Sequence, residues 1–360
     1  MKKSNIKKVV TSSYNYDKTS LAEIIIHDSE KIIDNIDFKK LRNKSILITG
    51  ATGLLGNYFL STLFLLHKSK TIKVDINLVI HSDLPTYLKK IARSLKCRVY
   101  KGDLTEDKFC KTLPKVDYII HAAGYGQPGR FMDNPIKTIK INTSSTIELI
   151  KNLKLSGSFL FISTSEVYSG LSRPPFKESE IGITNTDHPR ACYIEGKRLG
   201  ETICNEYRKM GINVKSARLS LAYGPGTKKY DKRVLNNFIE KALISGKIEM
   251  LDKGEAKRTY CYVTDAVELL WNILLSGKES IYNVGGVSRI TIAELAKLIA
   301  SLTNVKVTFP IKPAKLSGAP KDVYSDLSKI KTEFKKKKFI NITDGLKRTV
   351  NWQKKLYNSV

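Results

Sequence analysis

Short apolar runs alternate with longer amphipathic stretches from residue 45 onward, and this alternation constrains the fold more than any other feature of the chain. The apolar runs cover residues 45–48, 76–80, 97–101, 118–121, 159–163 and 214–219. Helical patterns fill the gaps between them over 53–68, 84–95, 135–153 and 193–210. Strands that alternate with helices in this way form parallel sheets covered on both faces. The sequence therefore predicts an α/β fold built on a doubly wound parallel sheet.

A glycine-rich turn follows the first apolar run and opens the next helical pattern. Gly50, Gly53 and Gly56 stand three residues apart within it. Glycine allows a tight turn, close approach of backbone to phosphate and close packing of helix on strand, while the helix N-terminus attracts the phosphate charge. The turn predicts a Rossmann-type dinucleotide site, with cofactor contacts at Gly50, Thr52, Gly53, Leu54, Leu55 and Gly56.

Three other regions flank this predicted dinucleotide-binding domain, which we assign to residues 45–225. Residues 1–44 are polar and basic, carry a helical pattern over 21–37, and are expected to pack on the domain as an N-terminal extension. Beyond residue 226 the elements shorten, and helical patterns over 235–245, 292–302 and 342–356 predict a smaller α/β lobe spanning 226–350. A strand near 281–286 is expected to return to the first domain, and residues 351–360 to form a C-terminal tail.

The charge balance of the chain is strongly basic. Lys and Arg number 62 against 34 Asp and Glu, which leaves a net charge of +28. Such a balance is typical of nucleic-acid binding, but the lysines are spread along the whole chain and form a single run, at 335–338. We therefore interpret them as a solvated surface and do not expect a nucleic-acid partner.

Cysteine usage and hydropathy indicate a cytoplasmic protein. The five cysteines show no Cys-x-x-Cys spacing and no histidine partners, so they predict reduced thiols and no metal site. The apolar run over 58–66 is too short to span a bilayer, and the charged sequence after Met1 is unlike a signal peptide. We expect neither membrane insertion nor secretion.

Tyr193 and Lys197 stand four residues apart in a helical pattern, so they share one face of the predicted helix. A free tyrosine has a pKa of about 10, and a nearby ammonium together with an oxidised nicotinamide favours its phenolate. Tyr193 can then accept the proton of an alcohol as its hydride leaves, while Lys197 holds the nicotinamide ribose. Thr164 ends an apolar run and can bond the same substrate oxygen, and Glu166 can act as a base on a carbon beside a ketone.

The glycine spacing resembles the turn of the short-chain dehydrogenase/reductase superfamily. Two further segments resemble this superfamily: Asp103 and Leu104, as the element that contacts adenine, and Ala122, Ala123 and Gly124, as the backbone wall near the ribose. An acidic residue is expected where the second apolar run ends, but His81 and Ser82 precede Asp83 there. NAD is therefore the expected cofactor, and NADP stays open.

Residues 163–168 and 189–198 make the resemblance more specific. With 217–226, 233–238 and 258–263 they resemble the extended branch of the superfamily, the NAD-dependent epimerase/dehydratase family of nucleotide-sugar enzymes, and most of all its UDP-glucuronate decarboxylases. The resemblance covers about residues 45–350 and implies a nucleotide-diphosphate sugar as substrate. It implies Ser165 among the substrate contacts, Arg233 near the nucleotide and Arg258 on the diphosphate, where a planar guanidinium suits phosphate oxygens. We also expect a homodimer.

Two departures from the decarboxylases leave the second chemical step open. Leu221 stands where they carry an Asn, and residues 322–326 stand where they carry an Arg-Lys-Pro-Asp stretch, so the cation expected to hold a substrate carboxylate is missing. Hexose 4,6-dehydratases differ as well, because they carry Asp where Ser165 stands. Oxidation at C4 of the sugar is predicted, and the step that follows can be epimerisation, dehydration or decarboxylation.

Two other functions fit parts of the sequence. A one-way reductase or dehydrogenase of a nucleotide ketosugar would use the same residues. A non-catalytic Rossmann-fold protein that binds RNA through its lysines would need none of Thr164, Tyr193 and Lys197, so the intact set favours an enzyme.

Overall fold

The computed structural model describes residues 20–70, 72–312 and 322–358, so the first 19 residues of the predicted extension and the last two of the predicted tail lie outside it. The strands are β1 (Lys44–Thr49), β2 (Val74–Ile80), β3 (Arg98–Lys101), β4 (Val116–His121), β5 (Leu153–Thr164), β6 (Val214–Leu219), β7 (Leu221–Tyr223), β8 (Lys247–Glu249), β9 (Lys257–Tyr262), β10 (Ile281–Val284), β11 (Ser288–Thr291), β12 (Lys306–Thr308) and β13 (Asp322–Val323). The α-helices are α1 (Leu21–Asp34), α2 (Leu54–Lys68), α3 (Thr86–Ser94), α4 (Asp107–Lys111), α5 (Pro128–Asp133), α6 (Pro135–Asn142), α7 (Ser144–Lys151), α8 (Ala191–Lys209), α9 (Val234–Ser245), α10 (Val263–Ser276), α11 (Ile292–Thr303), α12 (Ser328–Glu333) and α13 (Ile342–Asn358).

Seven parallel strands form the central sheet, in the order β10-β6-β5-β4-β1-β2-β3. The chain runs outward from β1 through β2 to β3, then crosses back and runs outward from β4 through β5 to β6. Ligands of such sheets bind at the carboxyl ends of the strands where the order reverses. Thr49 and His121 are register partners at that point, at the ends of β1 and β4. The predicted doubly wound fold is confirmed.

Some element boundaries differ from the predicted ones. The helical pattern over 135–153 is broken at Thr143, whose φ of −118° and ψ of −85° separate α6 from α7. Strand β5 begins at Leu153, six residues before the predicted apolar run. Its first residues lie outside that run because they are solvated, and Leu155 is fully exposed. Periodicity alone does not reveal a one-residue break, and an apolar run does not mark the solvated end of a strand.

Helix α1 packs its apolar face on the domain. Ile24, Ile25 and Ile32 are buried in the main core, and the helix ends at Asp34 rather than at the predicted residue 37. The buried carboxylate of Asp28 accepts hydrogen bonds from Tyr58 (2.9 Å), Tyr262 and Arg348. One acidic side chain thus joins α1 to α2, β9 and α13.

The chain beyond residue 226 builds two small sheets and returns one strand to the main sheet. Strand β9 pairs with β7, β11 and β13, and β8 pairs with β12. Strand β10 lies at the edge of the seven-stranded sheet, parallel to β6. Lys336, from the lysine run, is buried 2.8 Å from both Asp265 and Glu268, so this one lysine of the run is not a solvated surface residue.

Candidate active site

The glycine turn between β1 and α2 leaves open space in front of the helix. A Cβ atom on Gly50, where φ is +71°, would lie 2.7 Å from the Ala122 carbonyl carbon, and one on Gly56 would lie 2.5 Å from the Ala51 carbonyl oxygen. A Cβ atom on Gly53 would meet a single neighbour within 4 Å, the Gly50 carbonyl oxygen at 3.2 Å. Two of the glycines are therefore needed for packing, and the third keeps a cradle empty.

This cradle fits the pyrophosphate of a dinucleotide. Gly53 is the N-cap of α2, and no side chain caps the helix, so its first turn presents backbone N–H groups with a partial positive charge. Thr52 lies in the turn, and Leu54 and Leu55 begin the helix. The residues that would hold NAD here are those predicted from the sequence, and bound NAD supplies a two-electron acceptor for an alcohol carbon.

Thr49 and His121 fix the opposite wall of the cradle. Thr49 Oγ1 lies 2.9 Å from His121 Nδ1 and accepts the backbone N–H of Ala123 at 3.0 Å. His121 Nε2 lies 2.8 Å from the Ile141 carbonyl oxygen, and burial lowers the pKa of His121 to about 3. This neutral ring therefore orders the Ala122–Gly124 wall by hydrogen bonds rather than by charge.

Asp103 uses its carboxylate within the protein. It accepts from the backbone N–H and the hydroxyl of Thr105 (2.9 and 2.8 Å), and it forms an ion pair with Lys137 (2.8 Å). Burial alone would raise the pKa of Asp103, but these hydrogen bonds and the lysine charge lower it to about 2. Leu104 is buried beside it, and its carbonyl oxygen accepts from Ser145 (2.6 Å). Their adenine contacts stay a prediction.

Asp83 lies just past the carboxyl end of β2, where a ribose-binding acid is expected. Its carboxylate pairs with Lys101 at the end of β3 (2.8 Å), and its side chain is largely exposed. The lysine holds the pKa of this carboxyl below its usual range.

Thr164 and Tyr193 meet as the sequence predicts. The Thr164 hydroxyl is near enough to Tyr193 to lower its pKa, and it accepts the backbone N–H of Glu166 at 3.2 Å. Thr164 ends β5 and Tyr193 lies in the first turn of α8, so a sheet edge and a helix present the two hydroxyls together. A substrate hydroxyl placed against both can pass its proton to Tyr193.

Lys197 lies one turn further along α8. Its ammonium donates to the Ile162 carbonyl oxygen at 2.6 Å and lies 4.7 Å from the centre of the Phe161 ring. A Cβ atom on Gly124 would lie 4.0 Å from Lys197 Nζ, so the ammonium borders the same space as the cofactor wall. Burial lowers the pKa of Lys197 to about 7, against the opposing charge of Glu201.

The side chains of the site favour the neutral phenol of Tyr193 over the predicted phenolate. Burial and the charge of Glu166 raise the pKa of Tyr193 to about 12, and Thr164 with the charges of Arg190 and Arg233 only partly opposes that rise. Lys197 donates a hydrogen bond to the Ile162 carbonyl oxygen and not to the phenol oxygen of Tyr193. The positive charge of an oxidised nicotinamide, which the sequence analysis names beside the ammonium, would lower this pKa if it bound beside the ring.

Glu166 is paired with one arginine and lies within electrostatic reach of a second. It forms an ion pair with Arg190, whose side chain is 19% exposed against 25% for Glu166, and the charge of Arg258 also acts on it. Burial raises the pKa of Glu166, while Arg190 and Arg258 oppose that rise. Ser165 is buried next to it in a short 3₁₀ turn over Ser165–Tyr168. The Arg258 side chain thus lies within electrostatic reach of the predicted base, although the sequence suggested only a diphosphate contact for it.

Arg233 lies in the cleft but is held by its neighbour. Its guanidinium binds both carboxylate oxygens of the buried Asp231 (2.6 to 3.1 Å), and its charge acts on Tyr193. A nucleotide contact of Arg233 stays a prediction.

Sequence reasoning missed Phe131 and Arg190 as parts of the site. The ring of buried Phe131 stacks on that of Tyr193 with centroids 4.6 Å apart and planes 6° from parallel, and the Arg190 guanidinium lies 5.6 Å from the Phe131 centroid. Arg190 immediately precedes α8 and stands three residues before Tyr193, so the motif over 189–198 contained that signal. Phe131 comes from α5, which had no predicted pattern.

Comparison with known proteins identifies the group to which this site belongs. Residues 46–285 match the NAD dependent epimerase/dehydratase family. UDP-glucuronic acid decarboxylase 6 of Arabidopsis thaliana is 32% identical over 307 residues, which cover 84% of this chain and 87% of the plant protein. The chain belongs to the NAD dependent epimerase/dehydratase family.

Another relative and two solved structures are also similar to this chain. UDP-glucuronic acid decarboxylase 1 of Danio rerio is 31% identical over 86% of this chain and 72% of its own length. A dTDP-glucose 4,6-dehydratase from Streptomyces venezuelae, solved with NAD bound, superposes with a TM-score of 0.76 at 21% identity, covering 88% of this chain and 98% of its own. The UDP-glucose 4-epimerase of Thermotoga maritima gives 0.74 at 22%, covering 87% and 99%.

Family membership favours an NAD-dependent enzyme over the RNA-binding and one-way reductase alternatives. No helix among the described residues combines the length and the hydropathy that crossing a membrane requires. Within the same residues, no three His, Cys, Asp or Glu side chains gather as metal ligands.

Proposed function

We propose that this family member converts a nucleotide-diphosphate hexuronate to a pentose, by oxidation at C4 followed by loss of the C6 carboxylate as carbon dioxide. The ion pair of Glu166 with Arg190, with Arg258 and Tyr193 within electrostatic reach of Glu166, carries this proposal. The two arginines supply the positive charge that a substrate carboxylate needs, in place of the cation that the sequence lacks. Relatives named as UDP-glucuronic acid decarboxylases support uridine diphosphate as the nucleotide.

The residues of the site divide the reaction between them. Tyr193 accepts the proton of the C4 hydroxyl while Thr164 bonds the same oxygen. NAD held at the glycine turn would supply the two-electron acceptor for the C4 hydrogen and the hydride that later reduces the ketone. The carboxylate then lies beta to the C4 ketone, so the C5–C6 bond breaks and its electron pair passes into the ketone as an enolate. When the substrate carboxylate replaces Glu166 at Arg190, Glu166, whose pKa burial raises, takes up a proton from solvent and donates it to C5. Tyr193 finally returns its proton to the C4 oxygen.

Dehydration is the second candidate, and Glu166 is the observation that favours it. A carboxylate with a raised pKa beside an oxidised C4 can also remove the C5 proton of a hexose, after which the C6 hydroxyl leaves as water. This reaction needs no arginine at C6. Decarboxylation therefore depends on the charge of Arg190 at C6, whereas dehydration does not.

Product masses distinguish the two reactions. The purified protein is incubated with NAD and, separately, with UDP-glucuronate and UDP-glucose. We expect UDP-glucuronate to lose the mass of carbon dioxide and UDP-glucose to stay unchanged. Loss of water from UDP-glucose, or its conversion to an isomer of equal mass, would contradict decarboxylation.

Two variants test the roles of the charged residues. Arg190→Gln should lower turnover of UDP-glucuronate about 10²-fold, the range for loss of one charge-assisted contact that strengthens in the transition state. Glu166→Gln should still reduce cofactor, visible as near-ultraviolet absorbance, but release little product. Arg98→Gln removes another arginine–carboxylate pair, with Asp75 in the far strands of the sheet, and should leave turnover unchanged. Equal losses in all three variants would assign the effects to the fold.

Homodimer formation and a cytoplasmic location complete the proposal. Helices α6 and α8 pack on each other, and Ile136, Ile139 and Leu199 on them are exposed. We expect Leu199→Asp to give a monomer by light scattering. Leu155 is fully exposed on β5, and Leu155→Asp should leave the dimer intact. All five cysteines are free, as in a reducing compartment, and fractionation of the source cells checks the location.

A further inference from the structure

A lysine from the smaller lobe reaches the glycine turn of the dinucleotide domain. Lys228 Nζ lies 3.5 Å from the hydroxyl of Thr52, which stands between Gly50 and Gly53. Lys228 follows the turn at Tyr223–Gly226 and is separated from Thr52 by 176 residues along the chain. The mouth of the cofactor cradle is therefore bordered by a cation that does not belong to the glycine motif.

The backbone just before Lys228 is held in place by buried hydrogen bonds. The Gly226 carbonyl oxygen accepts from Asn57 Nδ2 of α2 (3.0 Å), and the Thr227 carbonyl oxygen accepts from Trp352 Nε1 of α13 (2.8 Å). Gly226 has φ of +96°, and a Cβ atom there would lie 2.7 Å from Asn57 Nδ2. The position of Lys228 over the turn thus follows from packing and not from the chance course of an exposed loop.

Positive charge accumulates at this point. Partial burial and the like charge of Arg130 of α5 both lower the pKa of Lys228, whose side chain is still exposed to solvent. The N-terminus of α2, without a side-chain cap, adds a third positive element. Like charges brought together repel each other, and an anion placed between them removes that repulsion.

We propose that Lys228 binds the pyrophosphate of NAD at the glycine turn and so retains the cofactor through repeated turnover. The contact with Thr52 favours the cofactor's pyrophosphate over the sugar nucleotide's, because Thr52 belongs to the turn whose empty cradle lies at Gly53. This inference rests on NAD binding at that turn and does not depend on which second step follows oxidation. It assigns cofactor retention partly to the lobe that carries the substrate residues.

Cofactor binding to three variants tests the proposal. Lys228→Met should raise the Kd for NAD about tenfold, the range for one charge-assisted hydrogen bond that solvent partly screens. Lys228→Arg should restore most of the affinity. Lys229→Met, which removes the same charge from the next residue, where the ammonium lies 5.6 Å from the Tyr357 ring centre, should leave the Kd unchanged. Calorimetry with NAD and with UDP alone, and the rate of NADH release, are the measurements.

The salt dependence of the Kd provides a second readout. The affinity of the unchanged protein for NAD should fall more steeply with salt than that of Lys228→Met, because one phosphate contact is missing in the variant. Equal Kd values for Lys228→Met and the unchanged protein, or equal weakening by both Met variants, would overturn the proposal. A Lys228→Met protein that binds UDP more weakly but NAD normally would assign the lysine to the sugar nucleotide instead, and would overturn it too.

Failure of the proposed function is distinguishable from failure of this inference. NAD affinity that depends on Lys228 in a protein that decarboxylates no uronate would leave the retention role standing. A protein that decarboxylates the uronate but binds NAD with an affinity independent of Lys228 would support the proposed function and contradict the role of Lys228.

Discussion

Replacement of Lys197 by Met is expected to destroy turnover and yet to stabilise the folded protein near neutral pH. The ammonium is buried, and burial lowers its pKa from the ordinary 10.5 to about 7. Below about pH 7 both the folded and the unfolded chain carry this proton, and the folded chain bears the full cost of the buried charge. Between about pH 7 and 10.5 the unfolded chain binds the proton and the folded chain does not, so stability rises with pH across that window.

The size of the effect follows from this difference. About 3.5 pH units at about 1.4 kcal/mol each give a cost of roughly 5 kcal/mol at low pH. The Met variant avoids this cost but leaves the Ile162 carbonyl oxygen without its donor, a loss of about 1 kcal/mol. We therefore expect Lys197→Met to be more stable by about 3–4 kcal/mol at about pH 6, with the gain disappearing above about pH 10.

Urea unfolding followed by circular dichroism over this pH range measures the effect. Lys215 provides a matched control, because it is buried at the amino end of β6 and burial lowers its pKa to about 8, away from the proposed active site. Lys215→Met should remove the rise of stability only above about pH 8 and keep turnover. If the unchanged protein and Lys197→Met show the same slope of stability against pH from about 7 to 10, the argument from burial is wrong.

Three further changes test other parts of the structure. Tyr193→Phe removes the proton acceptor but keeps the ring on Phe131, so turnover should fall about 10²–10⁴-fold with little change in substrate affinity; near-normal turnover would exclude the role. Gly53→Val places its side chain in the empty cradle, so NAD binding by calorimetry should be lost from a folded protein, and an unchanged affinity would move the cofactor elsewhere. Asp28→Ala leaves two buried tyrosine hydroxyls and Arg348 without their acceptor, so urea unfolding should show a loss of about 3–5 kcal/mol, and a loss below about 1 kcal/mol would show that these groups find other partners.

The strand–helix alternation and the glycine turn were predictable from the sequence because both depend on local chemistry. Apolar runs of strand length between amphipathic stretches bury both faces of a parallel sheet, and this is independent of what lies far away in the chain. The pairing of Thr164 with Tyr193 was predictable for a related reason, since the carboxyl ends of parallel strands and the helix that follows them meet at one edge.

The surroundings of the reactive groups were not predictable in the same way. Burial raises the pKa of Tyr193 and lowers that of Lys197, and the depth of a side chain depends on every element packed around it. Phe131 reaches Tyr193 from a short helix that has no sequence pattern of its own. The Lys228 contact joins residues 176 positions apart, across two lobes.

The sequence by itself determined the sheet, the cofactor turn and the identity of the hydroxyl and amine groups. Each of these depends on residue types that stand close together in the chain. The tertiary structure alone decided which charges face one another: Glu166 pairs with Arg190 within electrostatic reach of Arg258, and Lys228 lies over Thr52. Electrostatic interaction depends on distance and on exclusion of water, and neither quantity exists until distant segments have packed together.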